Sequence, residues 1–385
     1  MSRWSTTSGT WCGPKPFWQR ALVRGDRVGK NNQKIGGGRM RLRLNIALAA
    51  IIGSAMFIAG IASAQASSAS LVIRVGWAET PGHLAPLVAE LAKRHPEIMP
   101  NDGKVYDFEP IRFPGSTPQI QALAIKQLEV AAFSDSAFAL AVTNAHLDVK
   151  IVADVIQTGH PGYFPGEYVV AKDGPIKTIA DIKGKRVATN AIGSEADSTM
   201  RAMLRKHGIK DNDITTVEAN FANQPAMLEE GKVDMIELLP QFASGLMSTG
   251  KYRVLFTAAQ VHGVSEAVFW CMRDDFIAAH RPALIGFFTD YIRAMQWFLN
   301  PANRKEALDI LVAVTHKPLK DVEFAFTPHD FYRSPDLMPD IPAVQREIDE
   351  DVALGVLPKR IVVSPKYVDL SLIKAAQQQL HQHGA

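Results

Sequence analysis

From Leu71 onward the chain alternates short β-rich runs with stretches whose apolar residues recur every three or four positions. That alternation predicts strands joined by helices that cover sheets, and it points to parallel sheets of an α/β protein. Leu71 to Trp77 reads as a strand, and Glu79 to His83 as a loop. Leu84, Leu87, Val88 and Leu91 then mark one helix face. Val105 to Phe113 is the next strand, followed by Pro114 to Pro118, where a Ser or Thr cap and a Pro at the first helical position open a helix to about Gln127. Glu129 to Ser134 and Val149 to Ile156 are two more strands. The middle of the chain repeats the plan: strands at Tyr168 to Ala171, Arg186 to Thr189, Ile214 to Ala219 and Lys232 to Glu237, with helices from Gly193–Ser194–Glu195 to His207 and from Gln224 to Glu230. Two similar units predict two lobes with a cleft between them. Pro282 to Leu299 carries Leu284, Phe288, Tyr291, Met295 and Phe298 at helical spacing; Asp290 and Arg293 interrupt it, so it reads as a core helix and not a membrane span.

Upstream of this pattern, Arg41 and Arg43 precede an apolar stretch from Ile46 to Ile61, and Ala62–Ser63–Ala64 offers a small-residue cleavage site before Gln65. This order is that of a secretory signal at 40–64, with 1–39 as an upstream extension outside the fold. Ten of the 42 Lys/Arg and one of the 39 Asp/Glu precede Gln65, so the remainder carries 32 basic and 38 acidic residues. A mildly acidic exported protein without basic runs is a poor partner for nucleic acid. Cys12 lies in the leader, which leaves Cys271 alone, so no intramolecular disulfide or cysteine-pair metal site is expected. No metal and no cofactor are expected.

Several segments together resemble one family. Asp181–Ile182–Lys183–Gly184–Lys185–Arg186–Val187–Ala188 is similar to a D-L-K-G-K-x-V-A turn, and Ala226 to Asp234 to an A-L-x-x-G-x-V-D segment. Asp351 to Leu357 resembles x-x-x-L-G-x-L, with Tyr367–Val368–Asp369 beyond it. On these residues the chain resembles the substrate-binding proteins of ABC importers of the nitrate/sulfonate/taurine type. The resemblance implies a two-lobe periplasmic-binding-protein fold of type II, with 71–165 and 268–385 in the first lobe and 166–267 in the second. It also implies a monomer that captures a small organic anion, a sulfonate, carboxylate or similar, closes by hinge bending near Gly166 and Val268, and delivers its cargo to an inner-membrane ABC permease. Two positions depart from the family pattern: Leu123 to Glu129 lacks the glycine of L-x-x-G-x-x-D, and Leu238–Leu239–Pro240 replaces W-D-P.

Ligands of open α/β lobes bind outside the carboxyl ends of the strands. Here those ends are the loops carrying Thr80 and His83; Gly115, Ser116 and Thr117; Ser134 and Ser136; Gly193 and Ser194; and Glu237. The helices opened by Gly115–Ser116–Thr117 and Gly193–Ser194 predict amide-lined termini suited to an oxyanion; equally, Ser116 and Ser194 suit plain helix caps. Glu195 and Asp197, in the first turn of the second helix, answer its dipole and repel an anion placed too near. Trp77, Phe113, Phe133, Tyr163, Phe164, Tyr168 and Trp270 fall at strand ends or at the lobe crossings, where each suits the core more readily than a ligand wall; Tyr163 and Trp270 are carried forward as candidate ligand contacts. Asp135 and Glu237 suit an amine on the ligand, or plain solvation.

No Gly-x-Ser-x-Gly or His-Glu-x-x-His occurs. The sequence therefore predicts a binding protein rather than an enzyme. The alternative is an enzyme of the pyrimidine-synthase or desulfinase kind, or a sensory lobe, on the same fold.

Overall fold

A computed structural model describes residues 70–383. The secretory signal and the upstream extension lie outside the described residues. The chain runs through β1 (Leu71–Trp77), α1 (Ala85–Arg94), β2 (Tyr106–Arg112), α2 (Thr117–Ala124), β3 (Val130–Phe133), α3 (Asp135–Thr143) and β4 (Val149–Thr158). It crosses into β5 (Glu167–Ala171), β6 (Arg186–Thr189), α4 (Glu195–Lys206), β7 (Thr215–Glu218), α5 (Gln224–Glu229), β8 (Met235–Glu237), α6 (Ala243–Ser248), β9 (Tyr252–Thr257) and α7 (Ala258–His262). It returns through β10 (Ser265–Arg273), α8 (Asp274–Leu299), α9 (Arg304–Thr315), α10 (Leu319–Val322), α11 (Ile341–Leu354) and α12 (Ser371–His383).

Two five-stranded sheets result, ordered β2-β1-β3-β10-β4 and β7-β6-β8-β5-β9. Each is mixed, which corrects the expectation of parallel sheets. In the first, β1 runs parallel to β2 and β3, while β10 inserts antiparallel between β3 and β4. In the second, β6 runs parallel to β7 and β8, while β5 is antiparallel to β8 and β9. The antiparallel members, β5 and β10, are the first strand each sheet receives after the chain crosses over. No local pattern distinguishes such a strand from a parallel one.

Both faces of each sheet are covered, and strand alternation shows it. Along β10, Val268, Trp270 and Met272 enter one apolar cluster with α1, α8, α9 and α12; Phe269 and Cys271 enter another with α3 and α11. A period of two sends neighbours to opposite faces. Tyr168 and Val170 of β5 pack toward α4 and α7, whereas Val169 packs toward α5 and α6.

α8 is longer than its sequence pattern suggests, because it extends back across a kink at His280, two residues before Pro282. Proline lacks an N–H and crowds the preceding turn, which explains the bend. Asp290, fully buried on α8, accepts hydrogen bonds from Asn101 N (3.0 Å), Asn101 Nδ2 (3.0 Å), Tyr106 OH (2.8 Å) and Arg293 Nη1 (3.0 Å). The polar residue that interrupted the stripe thus joins α8 to the loop before β2.

The two sheets are linked at 159–166 and again at 263–264, and the links touch at glycine. A Cβ on Gly159 (φ 87°) would stand 2.1 Å from the Gly263 carbonyl oxygen, so only glycine permits this approach.

Candidate functional site

The lobes meet along a polar seam. Ser194, preceding α4, presents Oγ to the start of α2, accepting from Ser116 N (3.0 Å) and Thr117 N (3.3 Å). Asn190 Nδ2 donates to Pro114 O (2.9 Å), and Ser136 Oγ to Gly193 O (3.1 Å). On the opposite flank Gln241 Nε2 donates to Thr80 O (2.9 Å), Lys317 Nζ to Gln241 O (3.3 Å), and Ser244 Oγ to Asp321 Oδ1 (2.6 Å). Gly115 sits inside the seam: a Cβ there would lie 2.5 Å from Ser194 Oγ and 2.6 Å from Asn190 Nδ2.

Within the seam lies a cavity of about 650 Å³, its mouth included. The first lobe contributes Glu79, His83, Gly115 and Ser116, with Ile156 and Val268 from the paired strands β4 and β10. The second contributes Asn190, Ser194, Glu195, Phe221, Glu237 and Leu239, and Phe331 reaches in from the segment before α11. Among the described residues, no Lys or Arg lines it.

One buried ion pair shapes the first-lobe wall. Arg333 donates to Asp330 Oδ2 (3.1 Å), to Gly82 O (3.1 Å) and to Pro81 O, and both charged side chains are almost fully buried. Asp330 Oδ1 in turn accepts Phe331 N (2.7 Å). Arg333 therefore holds the loop that carries Glu79 and His83, while Asp330 sets Phe331.

The cavity lining carries several buried carboxyl and amide oxygens and, among the described residues, no Lys or Arg. Burial, with the Arg333 charge nearby, lowers His83 to about 3, so its ring is neutral, and Nδ1 has no partner. Glu79 is raised by burial, against the pull of Arg112, whose Nη2 lies 2.8 Å away. Glu195 is pushed up to about 7, mainly by burial; the Thr199 hydroxyl, donating at 3.1 Å, opposes this, and the Asp135 charge adds to it. Glu237 is raised well above the carboxylate range by burial and by Glu195. Its Oε2, like Asn190 Oδ1, is buried with no partner.

Of the residues singled out in the sequence, His83, Gly115, Ser116, Ser194 and Glu237 line this cavity. Thr80, Thr117, Ser136 and Gly193 belong to the seam beside it, where Gly193 N donates to Asp197 Oδ2 (2.9 Å). Ser134 caps α3 through Ala137 N (3.2 Å). Tyr163 packs edge-on against Tyr332, with ring centroids 5.1 Å apart. Trp270 lies in the first-lobe core against Tyr291, at 4.6 Å, and is not a cavity wall. Among the aromatics named from sequence, only Phe164 lines the cavity; Phe133 and Tyr168 are buried in the cores. In the segment replacing W-D-P, Leu238 is buried in the second-lobe core and Leu239 faces the cavity. Phe221 and Phe331 do not figure in the sequence reading, and Leu239 figures only in the segment that departs from W-D-P. Phe221 and Leu239 follow β7 and β8 and were within reach of the strand-end rule, whereas Phe331 carries no local signal.

Two mixed α/β sheets facing each other across a cavity define the class of two-lobe binding-protein folds. The chain belongs to the NMT1/THI5 like family, whose model matches residues 111–304. It is 27% identical over 224 residues to the "Putative aliphatic sulfonates-binding protein" of Escherichia coli (strain K12), a match covering 56% of this chain and 62% of that relative. The fold matches the alkanesulfonate-binding protein SsuA from Xanthomonas axonopodis pv. citri bound to MOPS, with a TM-score of 0.59, 23% identity, and coverage of 78% of this chain and 99% of that one. It also matches the desulfurization enzyme DSZB, with a TM-score of 0.56, 12% identity, and coverage of 80% and 99%. These likenesses establish the fold; chemistry has to be read from the site.

Proposed function

We propose that the protein is the extracytoplasmic, periplasmic solute-binding component of an ABC importer, holding a small organic solute between its lobes and delivering it to a membrane permease. The observation that carries this reading is the interlobe cavity, walled by both lobes and by the strands that join them. Such a site closes on its solute by hinge motion, driven by the solute's differential affinity for the closed form. The sulfonate-binding relatives and the importer-like motifs support the same role, and the secretory signal expected from the sequence at 40–64 agrees with that location.

Binding is favoured over catalysis by the residues at hand. Cys271 is fully buried in β10, burial raises its thiol well above the usual range, and it does not line the cavity. A thiol in that state is a poor nucleophile.

The test is a calorimetric screen of the purified protein against sulfonates, nitrate, carboxylates and amines, repeated on Ala267→Trp and Leu239→Trp; Ala267, on β10, and Leu239, after β8, both line the cavity, one from each lobe. Saturable binding by the parent that both variants lose supports the reading. Turnover of a bound compound, or binding that survives both substitutions, would overturn it.

A further inference from the structure

We propose that the solute presents a nitrogen group rich in N–H donors, an amine or amidine, to Glu195 and Glu237 on the second-lobe side of the cavity. This deepens the preceding proposal and rests on its reading that the cavity is the solute site.

The argument is one of unmatched partners. Glu79 already faces the Arg112 guanidinium at 2.8 Å. Glu237 has no such partner: it is 6% exposed, its Oε2 is unbonded, and it lines the cavity. Glu195 has only the Thr199 hydroxyl. Asn190 adds another unbonded acceptor, Oδ1. A buried carboxyl without a donor is costly, and a ligand that brings donors relieves that cost.

An anionic group meets the opposite situation. The amides that open α2 are taken by Ser194 Oγ, and Gly193 N, ahead of α4, by Asp197 Oδ2. Among the described residues, no lining side chain is a Lys or Arg, and His83 is neutral. The rest of the wall, Phe164, Phe221, Phe331, Ile156, Val268 and Leu239, suits an apolar body, and aromatic faces also attract a cation.

The experiment titrates the protein calorimetrically with benzamidine, benzylamine, benzoate and benzenesulfonate, which share a ring and differ in head group. Expected is binding of the two nitrogen compounds in preference to the two acids. Glu237→Gln should weaken benzamidine about tenfold or more while leaving the melting temperature near that of the parent. Ala267→Trp and Leu239→Trp should abolish binding. Failure of both nitrogen compounds to bind overturns the assignment. So does benzenesulfonate binding that Glu237→Gln leaves unchanged; if the Trp variants still block that binding, the cavity reading stands while the nitrogen assignment falls. Glu195→Gln provides a second, independent carboxyl variant should Glu237→Gln not fold.

Discussion

Ser194 Oγ, in the second lobe, accepts the backbone N–H of Ser116 in the first at 3.0 Å. The same oxygen also accepts from Thr117 N at 3.3 Å, so a hydroxyl from one lobe serves as the N-terminal cap of a helix in the other. Capping ordinarily stabilises a helix through its own chain neighbour. Here it is formed only when the lobes are together.

Removing the hydroxyl should therefore favour the open form. Ser194→Ala is expected to cost the closed state about 1 kcal/mol and to weaken solute binding correspondingly. Small-angle X-ray scattering should show a larger radius of gyration than the parent under solute-free conditions. A closed, parent-like profile together with parent-like affinity would show that this bond does not hold the lobes.

Arg333 tests whether the cavity wall depends on a single buried cation. Arg333→Met leaves Asp330 buried and the Pro81 and Gly82 carbonyls unbonded, and should destabilise the protein by about 3–5 kcal/mol in urea unfolding. Arg333→Lys keeps the charge but not the fork of donors, so it should recover only part of the loss. A loss below about 1 kcal/mol for the Met variant would contradict the positioning role given to this pair.

Buried carboxyls make stability depend on pH in an unusual direction. Asp154 is raised to about 6 and Asp351 to about 9, both mainly by burial, and Glu266 and Glu347 are raised well above the ordinary range. Asp154 Oδ2 accepts Ser334 N (2.8 Å), Glu347 Oε1 accepts Glu266 N (2.9 Å), and neither oxygen of Asp351 is bonded. Each raised group binds its proton more tightly folded than unfolded. Its stabilising contribution is complete below the unfolded value near 4 and is lost as pH rises through the folded value. The melting temperature should fall between pH 6 and pH 9, by roughly 5 °C or more. Glu266→Gln should flatten that slope, and calorimetry showing a level or rising trend in the parent would refute the account.

Cys271 should resist alkylation by iodoacetamide in the folded protein and react fully in denaturant, read by mass spectrometry of its own peptide. Burial both removes access and suppresses the thiolate. Rapid labelling under native conditions would mean that β10 opens far more readily than its central place in the first sheet implies.

The strands were legible because their patterns are local. Leu71–Trp77 and Arg186–Thr189 have the bounds their β-rich runs indicate, and α4 begins where Ser194 and Glu195 place it. The antiparallel direction of β5 and β10 was not legible, since strand direction depends on where a returning chain finds space. Whether Trp270 packs in the core or faces the cleft was open for a reason of the same kind: alternation along β10 is visible, but which face meets α8 and which meets α11 is not. In the site, strand-end loops led to Glu237 and Ser194, because the carboxyl ends of strands follow from topology. Phe331 and Arg333 lie some 250 residues after the Pro81–Gly82 loop they support, and no local pattern encodes that meeting.

The hydrogen bonds of the seam run largely between hydroxyls, amides and carbonyls, with Lys317 and Asp321 on one flank. Water can take over each of those bonds when the lobes part, so they add little net resistance to opening. A joint built this way works as a latch rather than a weld. What it carries decides how long it stays shut.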